Sequence, residues 1–338
     1  MYFWYILKNY IKNFLITLFA FAFLFVLVDY SFNFSKLPNS SNLQILYLFY
    51  MFIYAIFLIY PLALVFGFLL TLNKMIKFNE LVSFYSLGFT PFKVLKPFLV
   101  LCFSVFLLMI YLQSNKLAYV NQYAKAIKNN MQLRNKNIFL TFNDNVVYIK
   151  ELNPIIKKAY DLKVFVLKNN ELVKIITTKE ASFIDNKWQS KLSKVLILNK
   201  DKWIVTYKKN LSFLENFKPK ILSNLKSLNN ISFYDAYIAI KYFKNIDLNR
   251  ILSIVFFKIF TPLSLIALIM ILFIISPIHI RLSNIAIFMI KSVTFSIVIW
   301  GGELLLFKFT KQGVLSYYVL SFPFVILVLL FLILRRYR

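Results

Sequence analysis

The longest uncharged apolar stretch of this chain, residues 45–72, is the feature that most constrains its fold. A helix of about 20 apolar residues is long enough to cross the hydrocarbon core of a bilayer. Five further stretches follow the same pattern, although the first needs its flanking aromatic residues to reach full length; they are residues 14–28, 97–112, 252–275, 284–307 and 314–334. The sequence therefore predicts a polytopic membrane protein with six spanning helices.

The composition excludes several functional classes. The chain of 338 residues is 60% hydrophobic and contains one cysteine, one histidine and five glycines. The single Cys102 excludes an internal disulfide, the single His279 excludes a site built on two histidines, and the lack of a G-x-x-x-x-G-K run excludes a P-loop. We therefore expect no catalytic centre, no metal, no cofactor and no ATP hydrolysis by a P-loop in this chain.

The first apolar stretch has a second interpretation as a signal peptide, with Lys8 and Lys12 as its basic end. Such peptides end at a small-x-small cleavage site. Here the apolar run is followed instead by Asp29, Tyr30 and Phe32. The membrane helix is therefore the favoured interpretation of residues 14–28.

The distribution of lysine and arginine between the short loops predicts the orientation. Cytoplasmic loops of membrane proteins carry an excess of these residues. With the N-terminus inside, ten basic residues fall on the inner side and three on the outer side, namely Lys8, Lys12, Lys74, Lys77, Lys93, Lys96, Arg281, Arg335, Arg336 and Arg338 against Lys36, Lys308 and Lys311. We expect both termini in the cytoplasm.

Residues 113–250 form the long hydrophilic part of the chain, with 25 basic and 10 acidic residues. Helical patterns flank it, at residues 113 to about 135 and 235–243. Between them, six short segments rich in β-branched and aromatic residues are separated by Asn, Asp and Lys clusters, which is typical of strands; they are residues 138–142, 146–149, 162–167, 172–176, 188–199 and 203–207. The predicted fold class is thus an α+β membrane protein. Helices 1–3 occupy residues 1–112, and helices 4–6 occupy residues 251–338. Residues 113–250 form a β-rich domain outside the membrane on the far side, for which a β-sandwich or an open β-roll fits best.

The loop between the second and third spans carries signals for a short helix. Asn79 is a suitable N-cap, Glu80 lies in the first turn and Gly88 is a natural terminator. Thr90-Pro91 then predicts the start of the next helix. The residues between are mostly apolar: Leu81, Phe84, Tyr85 and Leu87. The helix either rests on lipid headgroups or inserts into a groove of a cytosolic partner, and its spacing alone favours neither interpretation.

At this loop the sequence resembles the LptF/LptG permeases, the membrane subunits of the lipopolysaccharide export ABC transporter. Glu80-Leu81 followed by Ser86-Leu87-Gly88-Phe89-Thr90 is similar to a segment of that family. The three-span, domain, three-span order is also similar. So are several shorter segments, namely Val146-Val-Tyr-Ile149, Lys241-Tyr-Phe243, Lys258-Ile-Phe-Thr-Pro262-Leu-Ser264, Gly313 and Pro323. The exit from the first span at Val28-Asp29 resembles LptG more than LptF.

The resemblance implies a function and a set of partners. A permease of this kind would lie in the bacterial inner membrane, with its large domain, jelly-roll-like, in the periplasm. It would extract lipopolysaccharide from the inner membrane and pass it to a periplasmic bridge protein. It would work with a dimer of cytosolic ATP-binding subunits, a second homologous permease and a single-span membrane partner, and without nucleic acid. Contact with the ATPase is then expected of Glu80, Leu81, Phe84, Tyr85, Leu87 and Gly88.

Several charged residues are candidates for substrate contact. Lys36, Lys308 and Lys311 lie at predicted outer helix ends, where a cation attracts phosphate but where a lysine can equally be an anchor at the membrane surface. Lys291 and Glu303 lie within a span, where an ionisable group normally faces protein or water. For these two, cavity lining and pairing with a neighbouring helix are equally consistent with the sequence.

Two further functional classes fit parts of the pattern. A non-transporting membrane scaffold or sensor would also explain a basic external domain and short cytoplasmic loops. An intramembrane enzyme would have to use Asp29 or Glu303 for acid–base chemistry. The sequence shows no pair of histidines, no serine nucleophile elbow and no closely spaced carboxylates, so the enzyme ranks last.

Overall fold

The computed structural model describes residues 2–128, 135–142, 145–153, 157–168, 171–199, 202–215, 217, 230–242, 247–279 and 284–336. The described helices are α1 (Tyr2–Asn33), α2 (Ser41–Lys77), α3 (Glu80–Ser86), α4 (Pro91–Ser114), α5 (Val120–Lys128), α6 (Phe233–Tyr242), α7 (Leu248–Ile275), α8 (Ile285–Lys311) and α9 (Phe322–Arg336). The described strands are β1 (Asn135–Phe142), β2 (Asn145–Asn153), β3 (Lys158–Lys168), β4 (Glu171–Ile184), β5 (Lys187–Asn199) and β6 (Lys202–Phe213).

The predicted fold class is confirmed. In the described part of the chain, six helical segments are long and apolar enough to cross a membrane. They are α1, α2, α4, α7, α8, and α9 together with the 3₁₀ turn before it, Tyr317–Arg336. An antiparallel sheet lies between the third and the fourth of them. The helix predicted for residues 113 to about 135 is wrong in one detail. It is interrupted, because α4 ends at Ser114 and α5 begins only at Val120 after a short 3₁₀ turn.

The chain forms two compact units, one of residues 1–124 and 249–338 and the other of residues 125–248. In the helical unit, α1 and α2 pack so closely that a Cβ at Gly67 would lie 2.8 Å from the Cα and the backbone N of Phe14. Only glycine fits there. Polar contacts join the same helices: the Tyr10 hydroxyl donates to the Leu64 carbonyl at 3.0 Å, and the Asn13 amide donates to the Thr71 hydroxyl at 2.9 Å.

The hydrophobic core of the helical unit is shared unequally among the helices. Its buried side chains come mainly from α1, α2, α4 and α7, and α9 adds Leu327 and Phe331. Helix α8 is different, because its buried residues are Ser292, Ser296, Glu303 and Thr310. Some of its apolar side chains, such as Phe288, Val293 and Trp300, pack partly buried against the core. Others, such as Ile290, Val298 and Leu305, are exposed on the opposite side.

The six strands form one antiparallel sheet in the order β1-β2-β3-β4-β5-β6. Each strand pairs with its neighbour along the chain because the connections are short. Between β4 and β5, for example, Asp185 and Asn186 adopt φ values of 47° and 61°, which is the left-handed conformation of a tight two-residue hairpin. A jelly roll would require strands that alternate between two sheets. The described strands instead form a meander within one sheet.

One transverse line divides this sheet into two halves. On either side of this line, every second residue of a strand is buried. Across the line the spacing between buried residues is three instead of two, so the strand turns its other face to the core. This occurs in four strands: Ile149 to Leu152, Ala159 to Leu162, Thr178 to Ala181 and Ser190 to Ser193. Left-handed backbone at Asn137, Asp161 and Asn210 lies on the same line. Strands that turn in this way let a single sheet cover its own core, so the domain is an open roll.

We call this the bend line and define it by residues 137, 150, 161, 179, 191 and 210, one on each strand. The long half-sheet comprises the described residues within 138–149, 162–178 and 192–209. The short half-sheet comprises the described residues within 135–136, 151–160, 180–190 and 211–213. The inner face is apolar and closed by Trp188, whose indole N–H donates to the Phe217 carbonyl at 2.7 Å.

Candidate functional site

The coupling helix predicted near residues 79–90, together with Phe78 before it, is called the coupling segment. Asn79 is at the N-cap position of α3, as predicted, but it has a φ of 60° and its side chain makes no cap hydrogen bond. The reason is that α2 runs directly into it, with the Asn79 N–H donating to the Ile76 carbonyl at 3.1 Å. Its carbonyl instead accepts the first bond of α3, from the Ser83 N–H at 3.1 Å.

The end of α3 agrees with the prediction. Gly88 has a φ of 78°, and its N–H donates to the Tyr85 carbonyl at 3.0 Å, while the Phe89 N–H donates to the Phe84 carbonyl at 3.1 Å. The rings of Phe84 and Phe89 lie 5.9 Å apart. This pair of bonds with its hydrophobic contact is the Schellman motif, which needs a residue that tolerates positive φ. The Thr90 side chain then caps α4 by accepting from the Lys93 N–H at 3.4 Å.

The inner side of the segment is anchored on the helical core. Leu81 is only 1% exposed, and Phe84 and Tyr85 pack against buried residues of the core. The start of α1 covers this side, since the Tyr2 ring lies 4.4 Å from Phe89 and 6.3 Å from Phe84 between ring centroids. A displacement of the segment would therefore be transmitted to α1.

Glu80 is held by a hydrogen bond from α1. The Tyr5 hydroxyl donates to Glu80 Oε1 at 2.7 Å. The other carboxylate oxygen, Oε2, is buried and makes no hydrogen bond with a described residue. The carboxylate thus lies at the joint between α1 and the start of α3, where the positive end of the short helix favours negative charge.

The outer side of the segment carries exposed apolar side chains. Leu87 is 73% exposed, Phe78 64% and Val82 36%. The sequence-based prediction included Leu87 but missed Phe78 and Val82. The surrounding lysines are exposed as well, namely Lys74, Lys77, Lys93 and Lys96. We call Phe78, Val82 and Leu87 the apolar knob.

The lysines predicted to contact substrate fall into two groups. Lys36 follows the end of α1, and Lys308 and Lys311 lie in the last turn of α8. Lys291 is exposed but lies near the start of α8, so at 1.5 Å per residue it is about 25 Å from Lys308 along the helix. One headgroup cannot contact both ends of α8.

Glu303 lies between helices rather than at a surface. It is 1% exposed and faces Thr261 and Ser264 of α7, yet neither carboxylate oxygen completes a hydrogen bond with a described residue. The Ser264 hydroxyl donates to the Phe260 carbonyl at 2.8 Å instead. Among the residues that the structure describes, no three His, Cys, Asp or Glu side chains come together in a group that could hold a metal ion.

Asn249 is a structural residue that sequence reasoning missed. Its amide donates to the carbonyls of Thr310 at 3.1 Å and Leu315 at 3.0 Å, and its Oδ1 accepts from the Tyr317 N–H at 2.9 Å. The start of α7 is thereby fastened to the turn between α8 and α9. No local pattern marks such a residue, because all three partners are more than 60 positions away.

A comparison with protein families gives a match over nearly the whole chain. A family model described as the lipopolysaccharide export system permease LptF/LptG matches residues 4–338, which include all six long helices and the strands between them. None of the curated proteins matches the chain.

Proposed function

The chain belongs to the LptF/LptG family of lipopolysaccharide export permeases, and we propose that it is the LptG-like partner in a pair of permeases that extracts lipopolysaccharide from the inner membrane. The family match over residues 4–338 carries the export role, since it spans the helices and the sheet domain together, and the Val28-Asp29 exit from the first span favours the LptG-like partner. As a family member, the chain is a membrane component of lipopolysaccharide transport. The steps below go further and are proposed from its geometry.

We propose that residues 78–90 couple the permease to a separate dimeric ATP-binding subunit. The chain has no P-loop, so the energy for lifting a lipid must come from another protein. The apolar knob fits a hydrophobic groove on such a partner, which is a common way for a short helix to be recognised. Tyr5, Tyr2 and Leu81 would carry the resulting movement to α1 and to the core, because they contact the segment on its inner side.

Consecutive membrane crossings alternate in direction, and this supports a common location for three of the predicted lysines. Lys36, Lys308 and Lys311 follow the ends of the first and fifth crossings and would lie on one side, which we propose is the periplasmic side. The anionic headgroup of lipopolysaccharide would be attracted there, at roughly 1 kcal/mol for each cation near the membrane surface.

The apolar faces of α1 and α8 support a lipid-facing role for these two helices. Side chains such as Phe23 and Leu27 on α1 and Val298 and Leu305 on α8 are between 50% and 70% exposed, as expected of surfaces that contact acyl chains or a second permease. We propose that these faces, together with those of a homologous partner, form the wall that holds the acyl chains.

The basic residues near the helix ends support an orientation with both termini in the cytoplasm. Lys8, Lys12, Lys74 and Lys77 are exposed at the helix ends opposite to Lys36, in agreement with a cytoplasmic location for the coupling segment. Arg281 and Arg338, which also entered the prediction, lie outside the described residues. With this orientation residues 125–248 are periplasmic, and we propose that the open roll receives the lipid and passes it to the bridge protein and the single-span partner.

Site-specific photo-crosslinking in cells tests the lipid path. A photoreactive residue at Lys36 or Lys308 should form an adduct with lipopolysaccharide. The matched control is Lys291, which is exposed on the same helix as Lys308 but about 25 Å away and should form none. Adducts of equal yield from all three positions would contradict the proposed path.

Depletion and purification test the export function itself. Depletion of the chain should lower lipopolysaccharide at the cell surface, and affinity purification should recover an ATP-binding subunit. Normal surface lipopolysaccharide after depletion would favour the scaffold or sensor instead. Recovery of the permease without any ATPase, under conditions that preserve the membrane, would contradict the coupling role of residues 78–90.

A further inference from the structure

The two outer faces of the bent sheet differ in character. On the short half-sheet the outer face is ordinary solvent-exposed surface, with Glu151 beside Tyr160 and a salt bridge of 2.6 Å between Lys158 and Glu180. On the long half-sheet the outer face consists mainly of apolar and aromatic side chains. Soluble proteins rarely expose a large continuous apolar patch unless it binds a partner. The contrast between the two outer faces of one sheet therefore points to an interaction site.

The strand register defines the face on the long half-sheet. Two rows cross all six strands, and two residues of β5 and β6 extend them. The members are Phe139, Tyr148, Lys163, Thr177, Lys194 and Tyr207 in the first row, Thr141, Val146, Phe165, Ile175, Leu196 and Val205 in the second, and Leu198 with Trp203 beyond it. We call this set the apolar outer face.

Several members of the apolar outer face are strongly exposed. Tyr207 is 68% exposed, Phe139 66%, Val205 46% and Trp203 42%. The opposite face of the sheet carries the buried rows, which contain Ile149 of β2, Val164 of β3 and Val195 of β5 and form the core of the domain. The apolar outer face therefore does not contribute to the core of the domain. Its apolar character indicates that it binds a partner.

The charges on this face restrict what it can meet. Its charged members are Lys163 and Lys194, and no acidic residue is among the residues that define it. Association with a second copy through the same face would place lysines against lysines, which is unfavourable. The occupant that fits is a surface with apolar content and negative charge.

We propose that the apolar outer face docks on the surface of a bilayer that contains anionic lipid. Tyrosine and tryptophan concentrate at membrane–water interfaces because one end of each ring system is apolar and the other is polar. Lysines beside them bind the headgroups. Tyr207 is paired with Lys194 across β5 and β6, and Trp203 lies on the same face four residues along β6, paired with Leu198. The proposal concerns the outer face of the domain and does not depend on the export function.

Photo-crosslinking of the full-length protein in nanodiscs tests this proposal. Tyr207 is replaced by the photoreactive residue p-benzoyl-phenylalanine, and the discs contain either phosphatidylcholine alone or phosphatidylcholine mixed with phosphatidylglycerol. Lipid adducts should form in the mixed discs and be much weaker in the neutral ones. The matched control places the same photoreactive residue at Tyr160, an aromatic position on the outer face of the short half-sheet, which should give no lipid adduct.

Charge neutralisation gives a second readout. Lys163→Gln and Lys194→Gln should each weaken docking about fivefold, as expected for a lysine that contributes roughly 1 kcal/mol at an anionic surface. Both positions are on an exposed sheet face, and circular dichroism should show an unchanged fold. Equal lipid adducts from Tyr160 and Tyr207, no adduct in either disc, equal adducts in both discs, or adducts with a protein only would each overturn the proposal.

Discussion

Replacing Leu87 and Leu81 one at a time separates the two sides of the coupling segment. Burying a leucine completely is worth about 1.5–3 kcal/mol, and Leu87 is 73% exposed, so most of that energy is still available to a partner. Leu87→Ala should therefore weaken binding of the ATP-binding subunit by about 1–2 kcal/mol, or roughly 5- to 30-fold. The same change at Leu81, which is 1% exposed, should lower the stability of the permease by about 2–5 kcal/mol.

The assay titrates the ATP-binding subunit into detergent-solubilised permease and measures thermal unfolding of each variant alone. For Leu87→Ala we expect weaker binding and an unchanged unfolding temperature. For Leu81→Ala we expect a lower unfolding temperature. The reasoning is refuted if Leu87→Ala binds like the unmodified protein, or if it unfolds as early as Leu81→Ala does, because its side chain would then already be in use within the chain.

Three further predictions follow from contacts elsewhere. Gly67→Ala should destabilise the helical unit by about 1–3 kcal/mol, since its Cβ would lie 2.8 Å from the backbone of α1, whereas Gly301→Ala, with nothing within 4 Å, should not; thermal unfolding in detergent compares the two. Asn249→Ala should cost about 1–3 kcal/mol because it leaves main-chain groups of the turn between α8 and α9 without their partner, and faster proteolysis of that turn would show it. In the sheet domain, the Lys158 ammonium lowers the pKa of Glu180. This pair therefore stabilises the fold above the ordinary pKa of glutamate and loses that effect as the pH falls through the lowered value; Lys158→Ala should raise the pKa of Glu180 in an NMR titration.

The six helices and the positions of the strands could be predicted because their signals are local. A run of apolar residues, a glycine at the end of a helix and a Thr-Pro pair at its start each act within a few positions, and Gly88 and Thr90 behave as their sequence indicates. Asn79 is at the predicted N-cap but does not use its side chain as a cap, since its conformation is set by the preceding helix, which continues to Lys77.

The candidate site was less predictable because exposure depends on the packing of distant segments. The apolar residues of the loop look alike in sequence, yet Leu81 points into the core and Leu87 away from it. The contact between Tyr5 and Glu80 spans 75 positions, and the buried location of Glu303 depends on α7. The bend line was equally hidden, since it appears only when the burial of several strands is compared.

That bend line limits how the sheet domain can change in length. Alternate residues of a strand point to opposite faces of the sheet. One extra residue inserted between a hairpin turn and the bend line would therefore turn the buried side chains of that stretch to the outer face. Insertions of a single residue should be tolerated at hairpin tips such as Asp185-Asn186, and within strands only when a compensating deletion lies before the bend. A library of one-residue insertions across residues 135–213 would display this as a map of permitted tips separated by intolerant strands.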